Sequence, residues 1–244
     1  MPVENRAVAL AYRSLSMVIV LVGVLLSLGL FQGRIYFRLL IYFTTQSNIW
    51  CFIFFVFLTV QTFKDLKKNG IKGQSNISPL IRGQVTMAII ATHVIYHFIL
   101  APHRRKTLGP AGFPFAYQLQ NYFVHYITPF LTVFDYIVFS EKNIFNIVLP
   151  FTWLVLPYIY LAVAMTVAEY IPSIPGKTSR YPYFFIDVDA YGVKKVIKNI
   201  IGLSVAILVL AYVIVLFDKL SIKDCKLTFR KKKESGKKNK KKHE

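Results

Sequence analysis

The sequence predicts an all-α integral membrane protein, a bundle of six transmembrane helices followed by a disordered basic C-terminal tail. Its 244 residues are 55% hydrophobic and 16% aromatic, and the mean hydropathy is +0.48. This composition is that of a membrane protein rather than of an ordinary soluble domain. Six apolar stretches are each long enough to cross a bilayer, which takes about 20 residues. They lie near residues 8–31, 36–63, 82–101, 119–139, 146–171 and 194–217.

Three of these stretches have features that bear on the predicted helices. The first is too long, and lacks the small-residue pattern, for a cleavable signal peptide. In the fourth, Pro129 is expected to kink the helix and to free a backbone carbonyl near His125. Pro150 and Pro157 are expected to bend the fifth. The connections are short, so residues 1–217 are predicted to form one transmembrane domain without a soluble domain.

The tail, residues 218–244, carries 12 of the 30 Lys and Arg residues and 4 of the 11 Asp and Glu residues. Its stretch "RKKKESGKKNKKKHE" lacks apolar residues, which predicts disorder. A lysine-rich segment at a membrane is expected to bind anionic lipid head groups. The alternative is a solvated tail that only fixes topology, and no nucleic acid partner is expected.

The distribution of basic residues predicts that both termini are cytoplasmic. That orientation puts 20 Lys and Arg residues inside, 12 of them in the tail, against 10 outside. Arg13 and Arg82 are counted among the inside residues. The final "KKHE" fits a dilysine retrieval signal, so the endoplasmic reticulum is expected for a eukaryotic source and the plasma membrane for a bacterial one.

Polar side chains interrupt the second, third and fourth stretches at helical spacing. Polar groups in lipid tend to face the bundle interior or a cavity and often mark function. The second stretch carries Thr44, Thr45, Gln46, Ser47 and Asn48; the third His93 and His97; the fourth Asn121, His125 and Thr128; and the segment before the last stretch Tyr183 and Asp187. Alternating helix directions predict that they meet at one level, around a pocket in the outer half of the bundle.

Three motifs resemble those of the androgen-induced family of six-span membrane proteins and their bacterial relatives. They are "YFTTQSN" at 42–48, "HYITP" at 125–129 and "YPYFFIDVDAYG" at 181–192. The resemblance covers most of residues 1–217. It implies hydrolysis of fatty acid esters of hydroxy fatty acids by an intramembrane threonine and histidine. By motif these match Thr44, with Thr45 as the rival, and His125.

The resemblance suggests a mechanism that needs no cofactor. Thr44 would attack the ester, and His125 would accept its proton from about 2.6–3.2 Å. Asn121 is a candidate to orient the His125 ring, and Gln46, Asn48 or backbone N–H groups are candidates to stabilise an oxyanion. The substrate would enter laterally from the bilayer.

Three other interpretations remain open. Membrane-embedded Thr and Ser often only bond the carbonyl four residues earlier or join helices. His93, His97 and His125 could instead ligate a metal ion for hydrolysis. The third alternative is a lipid or small-molecule carrier without chemistry, which a separation of Thr44 from His125 would favour.

Overall fold

The computed structural model describes residues 2–30, 33–108, 115–174 and 178–240. Within these ranges the side chains of 105–108, 115–116 and 221–240 are left undescribed. The statements below concern this part of the chain.

Six helices are long and apolar enough to cross a membrane, which confirms the predicted all-α class. These spans 1 to 6 are Arg6–Ser27, Phe43–Asn69, Pro79–Arg104, Tyr117–Phe139, Leu149–Tyr170 and Val188–Leu220. Span 5 consists of a short helix, Leu149–Trp153, followed by Val155–Tyr170. Gly192 interrupts the first turn of span 6 with φ 72°.

Span 2 begins later than predicted. Residues Phe37–Ile41 form a separate 3₁₀ turn, and the α-helix is Phe43–Asn69 rather than 36–63. Tyr42 between them is extended, and the Gln46 side chain donates to the Leu40 carbonyl at 2.8 Å, which stabilises the break. Thr44 is therefore the second residue of its helix, where backbone N–H groups have no partner within the helix, instead of being deep inside the span.

The two ends of the bundle are distinguished by the chain termini. We call the end that contains Asn5, residues 69–78 and residues 140–148 the terminal face, and the other end the opposite face. At the terminal face the Asn5 side chain caps span 1 by accepting from the N–H groups of Ala7 and Val8 at 3.0 and 3.1 Å. Arg6 donates to the Gly70 carbonyl at 2.9 Å, which joins the start of span 1 to the end of span 2.

A fully buried ion cluster joins four spans in the terminal half. Arg13 Nε lies 2.7 Å from Asp135 Oδ1, and Arg82 Nη1 lies 2.9 Å from Asp135 Oδ2. Arg13 also donates to Thr62 Oγ1 at 2.6 Å. All three charged side chains have no exposed surface. Arg13 and Arg82 are thus core residues, which corrects their use as charges of the cytoplasmic surface.

Asp218 anchors span 6 in the same half. The residue was predicted to begin the tail, yet it is completely buried. Its carboxylate accepts from Tyr136 OH at 2.7 Å and from the Phe145 N–H at 2.9 Å. The last helix extends to Lys240, but its side chains beyond Leu220 and residues 241–244 lie outside the described part of the chain. The predicted lipid contacts of the tail fall there.

Gly83 permits close packing of span 3 on span 5. A Cβ atom at position 83 would overlap the Trp153 ring, whose side chain is fully buried. We predict that Gly83→Ala lowers the free energy of unfolding by about 1–3 kcal/mol, the usual cost of overpacking. Thermal unfolding in detergent measures this. Gly202→Ala is the matched control because a Cβ there meets nothing within 4 Å.

Candidate functional site in the opposite half

Two wide helical turns face each other in the opposite half. Spans 3 and 4 contain π-helical turns at Tyr96–Leu100 and Phe123–Ile127, which raise the spacing of backbone hydrogen bonds from four to five residues. In each case a proline, Pro102 or Pro129, lies two residues after the turn. Proline lacks an N–H and crowds the preceding turn, which favours such a distortion. Turns of this kind are frequent at functional sites.

The π-turn of span 4 leaves two carbonyls without helical donors. The Thr128 N–H donates to Phe123 instead of Val124, and Pro129 has no N–H for His125. Neighbouring spans supply the donors: Asn48 Nδ2 lies 3.1 Å from the Val124 oxygen, and His93 Nδ1 lies 2.7 Å from the His125 oxygen. The predicted free carbonyl near His125 is therefore confirmed, and side chains from other helices satisfy it.

The bond to His125 fixes the tautomer of His93. A carbonyl oxygen only accepts, so His93 must carry its proton on Nδ1. Asn48 binds the Thr44 carbonyl as well, at 2.8 Å. One amide thus ties the start of span 2 to the π-turn of span 4.

The ring of His125 is buried among aromatic groups. It is 5% exposed and stacks on Tyr96, with ring centroids 3.6 Å apart and planes at 9°. Among the described residues its Nδ1 atom has no hydrogen-bond partner. Stacking therefore sets the present orientation of the imidazole.

Thr44 meets a tyrosine from the segment before span 6. The Thr44 N–H donates to Tyr183 OH at 3.3 Å, and the two hydroxyl oxygens are 3.5 Å apart. Tyr183 is buried at 9% exposure, and burial raises the pKa of its hydroxyl above the ordinary value of 10.0. The hydroxyl is therefore protonated at neutral pH and can donate a hydrogen bond.

A narrow apolar cavity of about 100 Å³ opens beside Thr44. Spans 2, 3, 5 and 6 and the residues after Pro182 enclose it. Its hydroxyl-bearing wall contains Thr44, Thr92, Tyr158, Tyr160, Tyr183 and Ser204. Hydrocarbon side chains provide almost all of the remaining surface, so the cavity suits an apolar chain with a polar group at the Thr44 end.

Thr44 and His125 lie in adjacent helices but do not meet. Among the described side chains they share no hydrogen bond, and His125 does not line the cavity that Thr44 lines. Their backbones are close because Asn48 bonds both Thr44 and Val124. The predicted convergence of spans 2, 3 and 4 is present, whereas the two side chains diverge within it.

Several other predicted site residues make local or interhelical bonds. Ser47 Oγ donates to the Thr44 carbonyl at 3.1 Å and lies 2.9 Å from Thr92 Oγ1, so it joins spans 2 and 3. Asn121 donates to the Tyr117 carbonyl at 2.9 Å. Thr45 and Thr128 are buried at 4% and 0% exposure. In the structure these residues pack between helices or bond neighbouring helix groups.

The remaining predicted residues are placed apart from Thr44. His97 is exposed, and its Nδ1 lies 3.1 Å from Tyr126 OH. Asp187 caps span 6 by accepting from the Ala190 N–H at 2.9 Å. Within the described residues no group of three or more His, Cys, Asp or Glu side chains is arranged to hold a metal ion. His93, His97 and His125 accordingly do not form a ligand set.

Sequence reasoning missed Tyr96 and the first π-turn. The signal was present as a shared pattern: "YHFILAP" at 96–102 and "FVHYITP" at 123–129 place the proline at the same distance from each turn. Tyr160, a buried residue of the cavity wall, had no such signal because it sits in an ordinary apolar run.

Comparisons with family models, with curated proteins and with solved structures gave no match for this chain.

Proposed function

We propose that the protein is an intramembrane hydrolase of lipid esters, with Thr44 as the nucleophile. The single observation that carries the proposal is the position of Thr44: its hydroxyl lies at the wall of an apolar cavity and at the N-terminus of a 27-residue helix. An acyl chain would occupy the cavity and bring its ester carbonyl to that helix end. The resemblance to the androgen-induced family supports the same substrate class, fatty acid esters of hydroxy fatty acids.

The start of span 2 supplies the electrostatic part of the chemistry. Attack by Thr44 Oγ1 forms a C–O bond and moves negative charge onto the carbonyl oxygen. The first N–H groups of the helix, which have no partner within the helix, and the positive end of the helix dipole would stabilise an anion there. The Tyr183 hydroxyl, 3.5 Å from Thr44 Oγ1, is a further donor. Collapse breaks the C–O bond to the alcohol, which leaves with the proton that the catalytic base took from Thr44, and water then cleaves the acyl-threonine ester to a fatty acid and free Thr44.

His125 is the proposed base that accepts the Thr44 proton. Its imidazole must leave the Tyr96 stack to do so, while Asn48 keeps the backbones of the two helices in contact. Substrate in the cavity would favour this rotation by providing a hydrogen-bond partner. Catalytic contacts are often incomplete without substrate and tighten when it binds.

A lipid carrier is the second candidate, favoured by the separation of Thr44 from His125. A carrier needs the apolar cavity and does not need a threonine–histidine hydrogen bond. The two candidates differ in one measurable respect, since both bind an acyl chain and only the hydrolase turns an ester over.

Hydrolysis of a fatty acid ester of a hydroxy fatty acid by purified protein in nanodiscs tests the proposal. We expect Thr44→Val, which keeps the shape and removes the hydroxyl, to lose at least about 100-fold in rate, as does removal of a covalent nucleophile. Thr44→Ser is the control and retains activity. His125→Ala is expected to fall by about 10²–10⁴-fold, the usual contribution of an acid–base group.

Unchanged hydrolysis by Thr44→Val would refute the assignment of Thr44 as the nucleophile. Loss of hydrolysis in Thr45→Val alone would assign that role to Thr45. Binding of a photoreactive acyl chain without any turnover by the wild type would establish the carrier instead.

We further propose that both termini are cytoplasmic, in the endoplasmic reticulum or plasma membrane. The basic tail would then face anionic lipids of the cytoplasmic leaflet. Under this orientation the Thr44 site lies in the outer half of the bilayer.

A further inference from the structure

A second, wider cavity lies on the opposite face, outside the Thr44 site. Its volume is about 830 Å³, within the range of ligand sites in proteins. The 3₁₀ turn before span 2, the last turns of span 5 and residues 171–174 form its walls. Most of the lining is apolar, and Tyr160 belongs to both this cavity and the narrow one.

Among the described residues that line this wide cavity, Arg38 is the only one with a charged side chain, and it is exposed. It makes no hydrogen bond or ion pair with the described residues. Arg180 on the same face differs, because Asp189 binds it through two contacts of 2.7 and 2.8 Å. A lone guanidinium beside apolar walls offers a paired set of N–H donors to an anion of matching shape.

The surroundings place this cation at the level of the membrane interface. Phe37 and Tyr170, which both line the cavity, are 72% and 81% exposed. Exposed aromatic rings of this kind concentrate where lipid tails meet head groups. A bound amphiphile would therefore put its charge on Arg38 and its chain along the apolar wall formed by Val163, Ala164 and Val167.

From these observations we propose that the wide cavity is a binding site for a free fatty acid, whose carboxylate pairs with Arg38. One guanidinium matches one carboxylate in charge and geometry, whereas a phosphate dianion would leave a negative charge unpaired. The site can hold the acid that ester hydrolysis releases on the other side of Tyr160. That place in the reaction rests on the proposed function; the binding site itself does not.

Competition against a photoreactive fatty acid tests the site on full-length protein in phosphatidylcholine nanodiscs. We expect palmitate to displace the probe at about tenfold lower concentration than hexadecanol, since a charge-assisted hydrogen-bonded pair is worth about that factor. We expect cross-links at residues 37–41 and 163–174, which belong to the wide cavity and not to the Thr44 cavity. Arg38→Ala should abolish the difference between acid and alcohol, and Arg38→Lys should keep part of it.

Arg34→Ala is the matched control, because Arg34 is exposed nearby and does not line the cavity. Equal competition by acid and alcohol in the wild type, an equal loss in Arg34→Ala, or cross-links confined to the Thr44 cavity would overturn the proposal. Stronger competition by lysophosphatidate than by palmitate would overturn the assignment of a carboxylate as the group that Arg38 binds. Thr44→Val separates the two proposals: it removes hydrolysis if the function is right and leaves palmitate binding intact.

Discussion

Replacing Asp135 with Ala is expected to destabilise the bundle by about 3–5 kcal/mol, the cost of removing one partner of a buried ion pair. Arg13 and Arg82 would then face each other without a counter-charge, in a region where neither has any exposed surface. At about 2–4 °C per kcal/mol for a chain of this size, Tm should fall by roughly 10 °C. Thermal unfolding of the purified variant in detergent measures it.

The size of this effect follows from the geometry of the cluster. Asp135 bonds both guanidinium groups and thus places one negative charge between two positive ones. Within the described part of the chain the Nε and Nη2 atoms of Arg82 have no hydrogen-bond partner, and its guanidinium lies 5.3 Å from the centre of the Phe54 ring. The cluster thus has an excess of positive charge even with Asp135 present. Removing its carboxylate leaves both guanidinium groups without a counter-charge.

Glu141→Ala is the control for Asp135→Ala because Glu141 is an exposed acid a few residues farther along the chain. Exposed substitutions usually change stability by less than about 0.5 kcal/mol. Asp135→Asn keeps an acceptor without the charge and should fall between the two. Equal Tm values for Asp135→Ala and Glu141→Ala would contradict the role assigned to the cluster.

The number of spans was predictable from the sequence, and the start of span 2 was not. Hydropathy counts apolar residues in a window, so residues 36–42 were joined to the helix that follows. The structure separates them because Tyr42 is extended and Gln46 bonds the Leu40 carbonyl. A contact of this kind depends on backbone geometry that periodicity does not encode.

The level of the polar residues was predictable, and the directions of their side chains were not. Helix direction and spacing placed Thr44, His93, His97 and His125 at one level, and in the structure Asn48 and His93 bond the backbone of the span that carries His125. Regular spacing assumes 100° per residue, and the π-turn at Phe123–Ile127 adds a residue to one turn of span 4. The rotation this causes is one reason why the stripe containing His125 does not bring its ring to Thr44.

Long-range ion pairs were also beyond the sequence. Arg13 and Asp135 are 122 residues apart, and nothing in their local surroundings distinguishes a core arginine from one at the membrane surface. Arg82 is the fourth residue of its helix and Arg13 the eighth, and for arginines in the first turns of a span snorkelling to the head groups is the usual expectation.

The second large effect concerns His93. The destabilisation caused by His93→Ala is expected to be smaller when Pro129 is also replaced. His93→Ala removes the donor to the His125 carbonyl, and an unpaired buried carbonyl costs about 1–3 kcal/mol. In Pro129→Ala the new N–H at position 129 can donate to the same carbonyl four residues earlier. The double variant His93→Ala/Pro129→Ala should therefore be more stable than the sum of the single changes by about 1–2 kcal/mol.

Thermal unfolding of the four proteins in this cycle measures the coupling directly. His97→Ala is the matched control, since His97 lies one turn away on the same helix, is exposed and bonds a side chain rather than a carbonyl. The destabilisation caused by His97→Ala should be the same whether or not Pro129 is replaced. Strict additivity for His93 and Pro129 would mean that the hydrogen bond contributes nothing, and the π-turn would then be held by the Tyr96 stack and Asn48 alone.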